Sequence, residues 1–222
     1  LGAFLAVNHF PVSSLSEWVF FSSLIASILV LNHVNFQLPP EGNKLSMDSA
    51  IYLACVFIFG MDIALYVLLV SSIIYASYDR KTVLWKHIIN FACYTLMIIG
   101  AHFTFIVTSG NIGPLNYLGI IPYLSTLAVY FSINVFIIGM FFLLSLRGTL
   151  FNVLKGILKE TVTAYVSTLL FSLVLSILLT HHRLFGLVLF MVIAVLLSKS
   201  FDQLFRLYKE VSEKATRDQR TG

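Results

Sequence analysis

Charge is what this chain has least of. Asp, Glu, Lys and Arg make up 11% of its 222 residues, against 59% hydrophobic ones, and the mean hydropathy is +0.93. A water-soluble domain of this length has no interior large enough for so much apolar surface. The composition therefore excludes one and points to a polytopic membrane protein whose main partner is the lipid bilayer. Cysteine is also scarce. Cys55 and Cys93 both lie in apolar runs, so no disulfide framework and no redox compartment follow. Catalytic motifs are missing: there is no P-loop, no H-E-x-x-H, no G-x-S-x-G and no His-Asp metal pair. The chain alone is expected to catalyse nothing and to need neither cofactor nor metal. His181-His182 is the nearest approach to a metal motif, and two adjacent loop histidines do not make a ligand set. The formal charge of +4 is spread between hydrophobic spans rather than clustered, so it reads as a topology signal and no nucleic-acid partner is expected.

What is present is a succession of long apolar segments without internal repeat. Leu1 to Phe10 reads as the end of a first span closed by Pro11, and Leu1 is not an initiator methionine, as expected of a piece of a longer chain. Ser14-Leu-Ser-Glu17 has the form of a capping box and opens a span from Trp18 to Val34. Phe36, Leu38, Leu45 and Met47 alternate with polar neighbours around Pro39-Pro40-Glu-Gly42-Asn43, which predicts a short hairpin or an ordered surface loop. Asp48-Ser49 can cap the next helix. Ala50 to Ser77 is too long for one straight span at about 1.5 Å per residue across roughly 30 Å, so it must tilt or break near Gly60. Val83 to Thr108 spans, Ser109 to Pro114 is an uncharged turn, and Leu115 to Leu146 is a long hydrophobic helix ended by Arg147-Gly148. Thr149 to Glu160 is an amphipathic connector, Val162 to Leu179 spans, Thr180-His-His-Arg183 turns, and a last helix begins at Leu184. The expected fold class is all-α: a transmembrane helical bundle of about 6–7 spans.

Orientation follows from Lys and Arg. With the C-terminus inside and the spans alternating backwards, 12 of the 14 basic residues fall inside, and only Lys44 and Arg183 fall outside. The positive-inside rule then places the C-terminus in the cytoplasm. This count requires residues 50–77 to cross once; a re-entrant pair of half-helices around Gly60 would break the alternation.

Polar residues inside spans are expensive and serve as functional candidates. Asp62 is the only formal charge between Ser49 and Ser77. It either faces protein, a cavity or a partner, or caps a second half-helix starting after Gly60. Asn90, Tyr94, His102, Tyr130 and Asn134 are the other mid-span polar groups. The two asparagines suit hydrogen bonds from helix to helix. The sharper expectation is a small-ligand pocket lined by Asn90, His102, Tyr130 and Asn134, with Asp62 as a further binding candidate.

Leu184 to Leu197 is unbroken hydrocarbon, and the chain then turns polar with no Pro or Gly until Gly222. One helix can therefore leave the bilayer and continue in water. In its wet part Leu197, Phe201, Leu204, Tyr208, Val211 and Ala215 recur at steps of 4, 3, 4, 3 and 4, the seam spacing of a coiled coil. Asp202/Arg206, Glu210/Lys214 and Glu213/Arg217 are supporting i,i+4 pairs. The seam suits a homodimer contact; the alternative is an amphipathic tail lying on lipid. Its end, Ala215-Thr-Arg-Asp218-Gln-Arg-Thr221-Gly222, resembles the A-x-x-D-x-L-T-G entrance of the GGDEF domain of bacterial diguanylate cyclases. Asp218, Thr221 and Gly222 match, and Arg220 replaces the usual Leu. Residues 36–147, with Leu38-Pro39, Leu45-Ser46, Phe59-Gly60, Asn90 and Tyr130-Phe131-x-x-Asn134, resemble the multi-span sensory regions of GGDEF and HD-GYP proteins. Some of those resemble the substrate-binding components of vitamin-uptake transporters. The resemblance implies a sensory bundle over residues 1–198, a signalling helix over 199–217 and the stub of a GGDEF domain from 218, in a bacterial inner membrane. It also implies an output of cyclic di-GMP made from GTP by a domain this chain lacks, since Gly-Gly-Asp/Glu-Glu-Phe is absent. A solute-binding or transport protein is the other expectation.

Overall fold

The computed structural model describes residues 14–33, 36–38, 43–45, 47–80, 82–116, 119–146 and 150–221; for 33, 36–38, 43–45, 142–146, 150–165, 168, 201, 202, 205, 209 and 212–221 it describes the backbone alone. The expected span over Leu1–Phe10, the Pro39-Pro40 turn and Gly222 lie outside the described residues. Among those described, the elements are α1 (Leu15–His33), β1 (Phe36–Leu38), β2 (Asn43–Leu45), α2 (Asp48–Phe59), α3 (Met61–Tyr78), α4 (Leu84–Val107), α5 (Ile121–Leu146) and α6 (Leu150–Thr221). The described residues form a helical bundle, and five helices among them are long and apolar enough to cross a membrane.

The capping box at the start of α1 forms as its residues require. The Glu17 carboxylate accepts the Ser14 N–H at 3.2 Å, and Ser14 Oγ accepts the Glu17 N–H at 3.4 Å. The expected hairpin is also there. Phe36 pairs with Leu45 and Leu38 with Asn43 in an antiparallel ladder, and β1 packs on α6.

The 48–78 stretch breaks rather than tilts. Gly60 sits at φ 85°, a left-handed conformation open to glycine, and closes α2 by donating its N–H to Val56 O at 3.2 Å. α3 then runs back alongside α2, so that Tyr52 and Ser71 meet through their hydroxyls at 3.1 Å. Both ends of this stretch therefore lie at one end of the bundle. The single crossing that underlies the residue count above is replaced by a re-entrant pair. At its 12 residues α2 is about 18 Å long, too short to span, whereas the 18 residues of α3 reach about 27 Å.

α2 is the axis of the bundle. Residues 48 to 57 are all buried, as a helix apolar on every side demands. Ile51, Ala54 and Cys55 join a core with α1, α3 and α6, while Leu53 and Phe57 join a second core with α4, α5 and α6. Its far end is tied to the loop after α4, whose Gly113 N–H donates to Phe57 O at 3.0 Å.

α6 is a hairpin, as expected from Thr180 to Arg183. Arg183 alone departs from helical angles, at φ 37° and ψ −111°. The limb before it and the limb after it fold together, with the rings of Phe171 and Phe190 6.4 Å apart. Gly186 lies directly against the Leu178 carbonyl. The 149–160 connector is not a separate element, because α6 continues through it without interruption. Chain direction then sets the ends. Arg183, Asp62 and the 108–120 loop lie at one end of the bundle; the hairpin, the α3–α4 turn and the C-terminal tail lie at the other. Lys44 moves to the tail end, and among the described Lys and Arg residues Arg183 alone is at the opposite one.

Candidate functional site

Where the start of α2, the end of α3 and the start of α4 converge, the bundle holds a polar cavity of about 280 Å3. Three stripes build it. Asp48 and Tyr52 are one turn apart on α2, and Ser71 and Tyr75 are one turn apart on α3. His87, Asn90 and Tyr94 follow at steps of 3 and 4 on α4, so they share a face. Asn32 from α1 and Ser72 from α3 complete the wall.

Asp48 is 4% exposed. Burial of a carboxylate is tolerable where donors surround it. Its Oδ1 accepts the Ser49 N–H at 2.8 Å, and the Tyr94 hydroxyl donates to its Oδ2 at 2.8 Å. Its place in the first turn of α2 adds the favourable end of the helix dipole. Asp48 was expected to cap this helix. The N-cap position is Met47, which makes no side-chain cap bond; from the first turn the Asp48 carboxylate accepts the Ser49 N–H and also reaches α4.

The other walls are ordered by the same means. Ser71 donates to Leu68 O at 3.1 Å, which spends its only proton, so the Tyr52 hydroxyl is the donor in their mutual bond. The Tyr52 and Tyr94 rings lie 5.2 Å apart at 52°, and Tyr75 meets the His87 ring edge-on at 5.7 Å. His87 Nε2 is buried without a hydrogen-bond partner. The cavity thus offers one carboxylate, three phenol rings and several amide or hydroxyl groups, and its described lining has no Lys or Arg. Such a lining can take a positively charged or strongly hydrogen-bonding small molecule.

The five residues singled out in the sequence are distributed over three places. Asn90 lines the cavity. Tyr130 and Asn134 lie buried on α5 towards α4, where Cys93 Sγ donates to Asn134 Oδ1 at 3.7 Å. This is a helix-to-helix contact of the kind expected for Asn134, and the Nδ2 of that residue has no hydrogen-bond partner. His102 and Asp62 sit towards the opposite end, near enough to interact electrostatically. Asp62 is exposed in the first turn of α3 and makes no side-chain cap bond to it. Asp48, Tyr52, Tyr75 and His87 were not foreseen as site residues, although polar groups at helical spacing in apolar segments were their visible signal. Among the described residues no group of three or more His, Cys, Asp or Glu is placed to hold a metal.

Along the last helix Leu197 is half-buried, while Leu204, Tyr208 and Val211 are exposed. The side chains of Phe201, Ala215, Asp218 and Thr221 are outside the described set. No protein-family model matches the chain, and no curated protein and no solved structure matches it.

Proposed function

We propose that the chain is a membrane-embedded input module. It relays a stimulus through the second limb of α6 to a cytoplasmic diguanylate cyclase domain of the GGDEF type. The observation that carries this reading is the limb itself. It runs from 184 to 221 as one helix with no non-helical residue, about 57 Å in all. Leu187, Phe190 and Ala194 anchor it in the core, and beyond them Leu204, Tyr208 and Val211 are 53%, 47% and 66% exposed. An exposed apolar stripe at seam spacing, flanked by the equally exposed Leu207, is what a second copy of the rod would cover. The end of the rod carries the Asp218, Thr221 and Gly222 match.

Five candidate spans, the last folded back at Arg183, supply six long limbs, and the shorter α2 carries the chain from the tail end to the start of α3. Lys and Arg then orient the bundle: the tail end carries every described one but Arg183, so that end is cytoplasmic. The polar cavity lies in the same half, beside the start of the re-entrant pair. Its occupant biases the packing of α2, α3 and α4, and α6 touches the core that α2 shares. In the intact protein, replacing Leu204, Tyr208 and Val211 by Ser should abolish regulated synthesis of cyclic di-GMP. Unchanged synthesis and unchanged regulation would refute the relay.

A second reading, a solute-binding or transport protein, draws on one observation. The half-helix α2 begins inside a polar cavity, the arrangement by which broken helices form substrate sites. Uptake by the protein in liposomes, lost in Asp48→Asn, would favour it over the relay.

A further inference from the structure

From the chemistry of the cavity beside α2 we infer that it is a binding site for a small alkylammonium ion. Asp48 holds the charge, and Tyr52, Tyr75 and Tyr94 surround the methyl or methylene groups. The inference deepens the sensory reading by naming what the input site takes, and it rests on that reading only for its consequence, not for binding.

Three properties of the walls select this class. The first is charge. The described lining carries one carboxylate and no Lys or Arg, so an anion meets no attraction there and a cation does. The second is aromatic content. Three tyrosines line a volume of about 280 Å3, next to the lower bound of ordinary small-molecule pockets at about 300 Å3. Rings grouped around a compact cavity favour a cation through their quadrupoles, above all one whose charge is spread over carbon-bound hydrogens. The third is the scarcity of hard ligands. Asp48 is the only carboxylate in the described lining, too few hard ligands there to replace the hydration shell of a divalent ion. Asn90 and Asn32 provide acceptors and donors for a hydroxyl or ammonium hydrogen on the same molecule.

Such a cation reaches this half of the bundle either as a free amine or as the head of an ethanolamine lipid. The test uses the whole chain in lipid nanodiscs, with choline as the probe and 3,3-dimethyl-1-butanol as its uncharged isostere. Calorimetric titration should show saturable choline binding and none of the isostere. Asp48→Asn should weaken it by about tenfold or more, the scale of a lost charge contact. Tyr75 is only half-buried, so its variants keep the question open if Asp48→Asn does not fold. Tyr75→Phe retains the ring and should bind, while Tyr75→Leu should bind several-fold more weakly.

Failure of choline, ethanolamine and butylammonium to bind would overturn the inference. So would equal binding of the isostere, equal affinity of Tyr75→Phe and Tyr75→Leu, or displacement of choline by sodium ion at equal concentration. Discs with and without phosphatidylethanolamine separate the two sources, since apparent competition by the lipid assigns the headgroup and its absence assigns the free amine. Absent binding in a protein that still relays sinks this inference alone. Intact binding beside a tail that neither dimerises nor signals sinks the relay alone.

Discussion

Two residues illustrate how single positions carry this structure. Gly186 faces the Leu178 carbonyl so closely that a methyl group there would overlap a backbone atom, which has no rotamer to yield. Gly186→Ala should therefore lower the thermal stability of the detergent-solubilised protein by about 1–3 kcal/mol, the usual range of overpacking; an unchanged melting curve would mean the limbs are not this close. Tyr94 places a hydroxyl on Asp48 across 46 residues of sequence. Tyr94→Phe removes that donor while leaving the ring, and a loss of about 1–3 kcal/mol in the same melting experiment is the expected outcome. Hydropathy showed that Tyr94 and Asp48 were polar groups among apolar neighbours. It could not show that they touch, because a contact between α2 and α4 depends on where the chain turns at Gly60. Asp48 followed by Ser49 reads locally as a cap, and only the approach of α4 gives its carboxylate a second task.

At the scale of elements, the turns were legible and one direction of travel was not. The capping box at Ser14, the hairpin around residues 36–45, the uncharged loop after α4 and the reversal at Arg183 all follow from local residue chemistry. The re-entrant pair is different. The apolar run from Ala50 to Ser77 records a length, and a tilted crossing and a broken hairpin can have equal length. What decides between them is tertiary: α2 is buried on every side, so it can begin inside the bundle, at the polar cavity, and still leave no apolar face uncovered. This placement is open to labelling by membrane-impermeant maleimide, for which Cys55 is fully buried. Lys44→Cys and Arg206→Cys should react from the same face of the membrane, and Asp62→Cys and Arg183→Cys from the other. Opposite faces for positions 44 and 206 would restore a single crossing for residues 48–78.

For the whole molecule, the contrast is between a bundle that covers its interior and a tail that leaves an apolar stripe bare. Outward-facing apolar groups within the spans need only lipid, but Leu204, Tyr208 and Val211 lie beyond Ser200, where the hydrophobic stretch has ended. If the stripe joins two copies, Val211→Cys should form an intermolecular disulfide under mild oxidation. Arg206→Cys, exposed but off the seam, should not. Equal crosslinking at both positions would indicate random collision rather than a defined pairing.

The bend at Arg183 turns the chain within one residue, and the two limbs it joins are held flush at Gly186. Such a joint has no slack. The outgoing rod cannot slide like a piston past its neighbour without opening the bend, so the movements left to it are rocking and twisting, made by both limbs as a single lever.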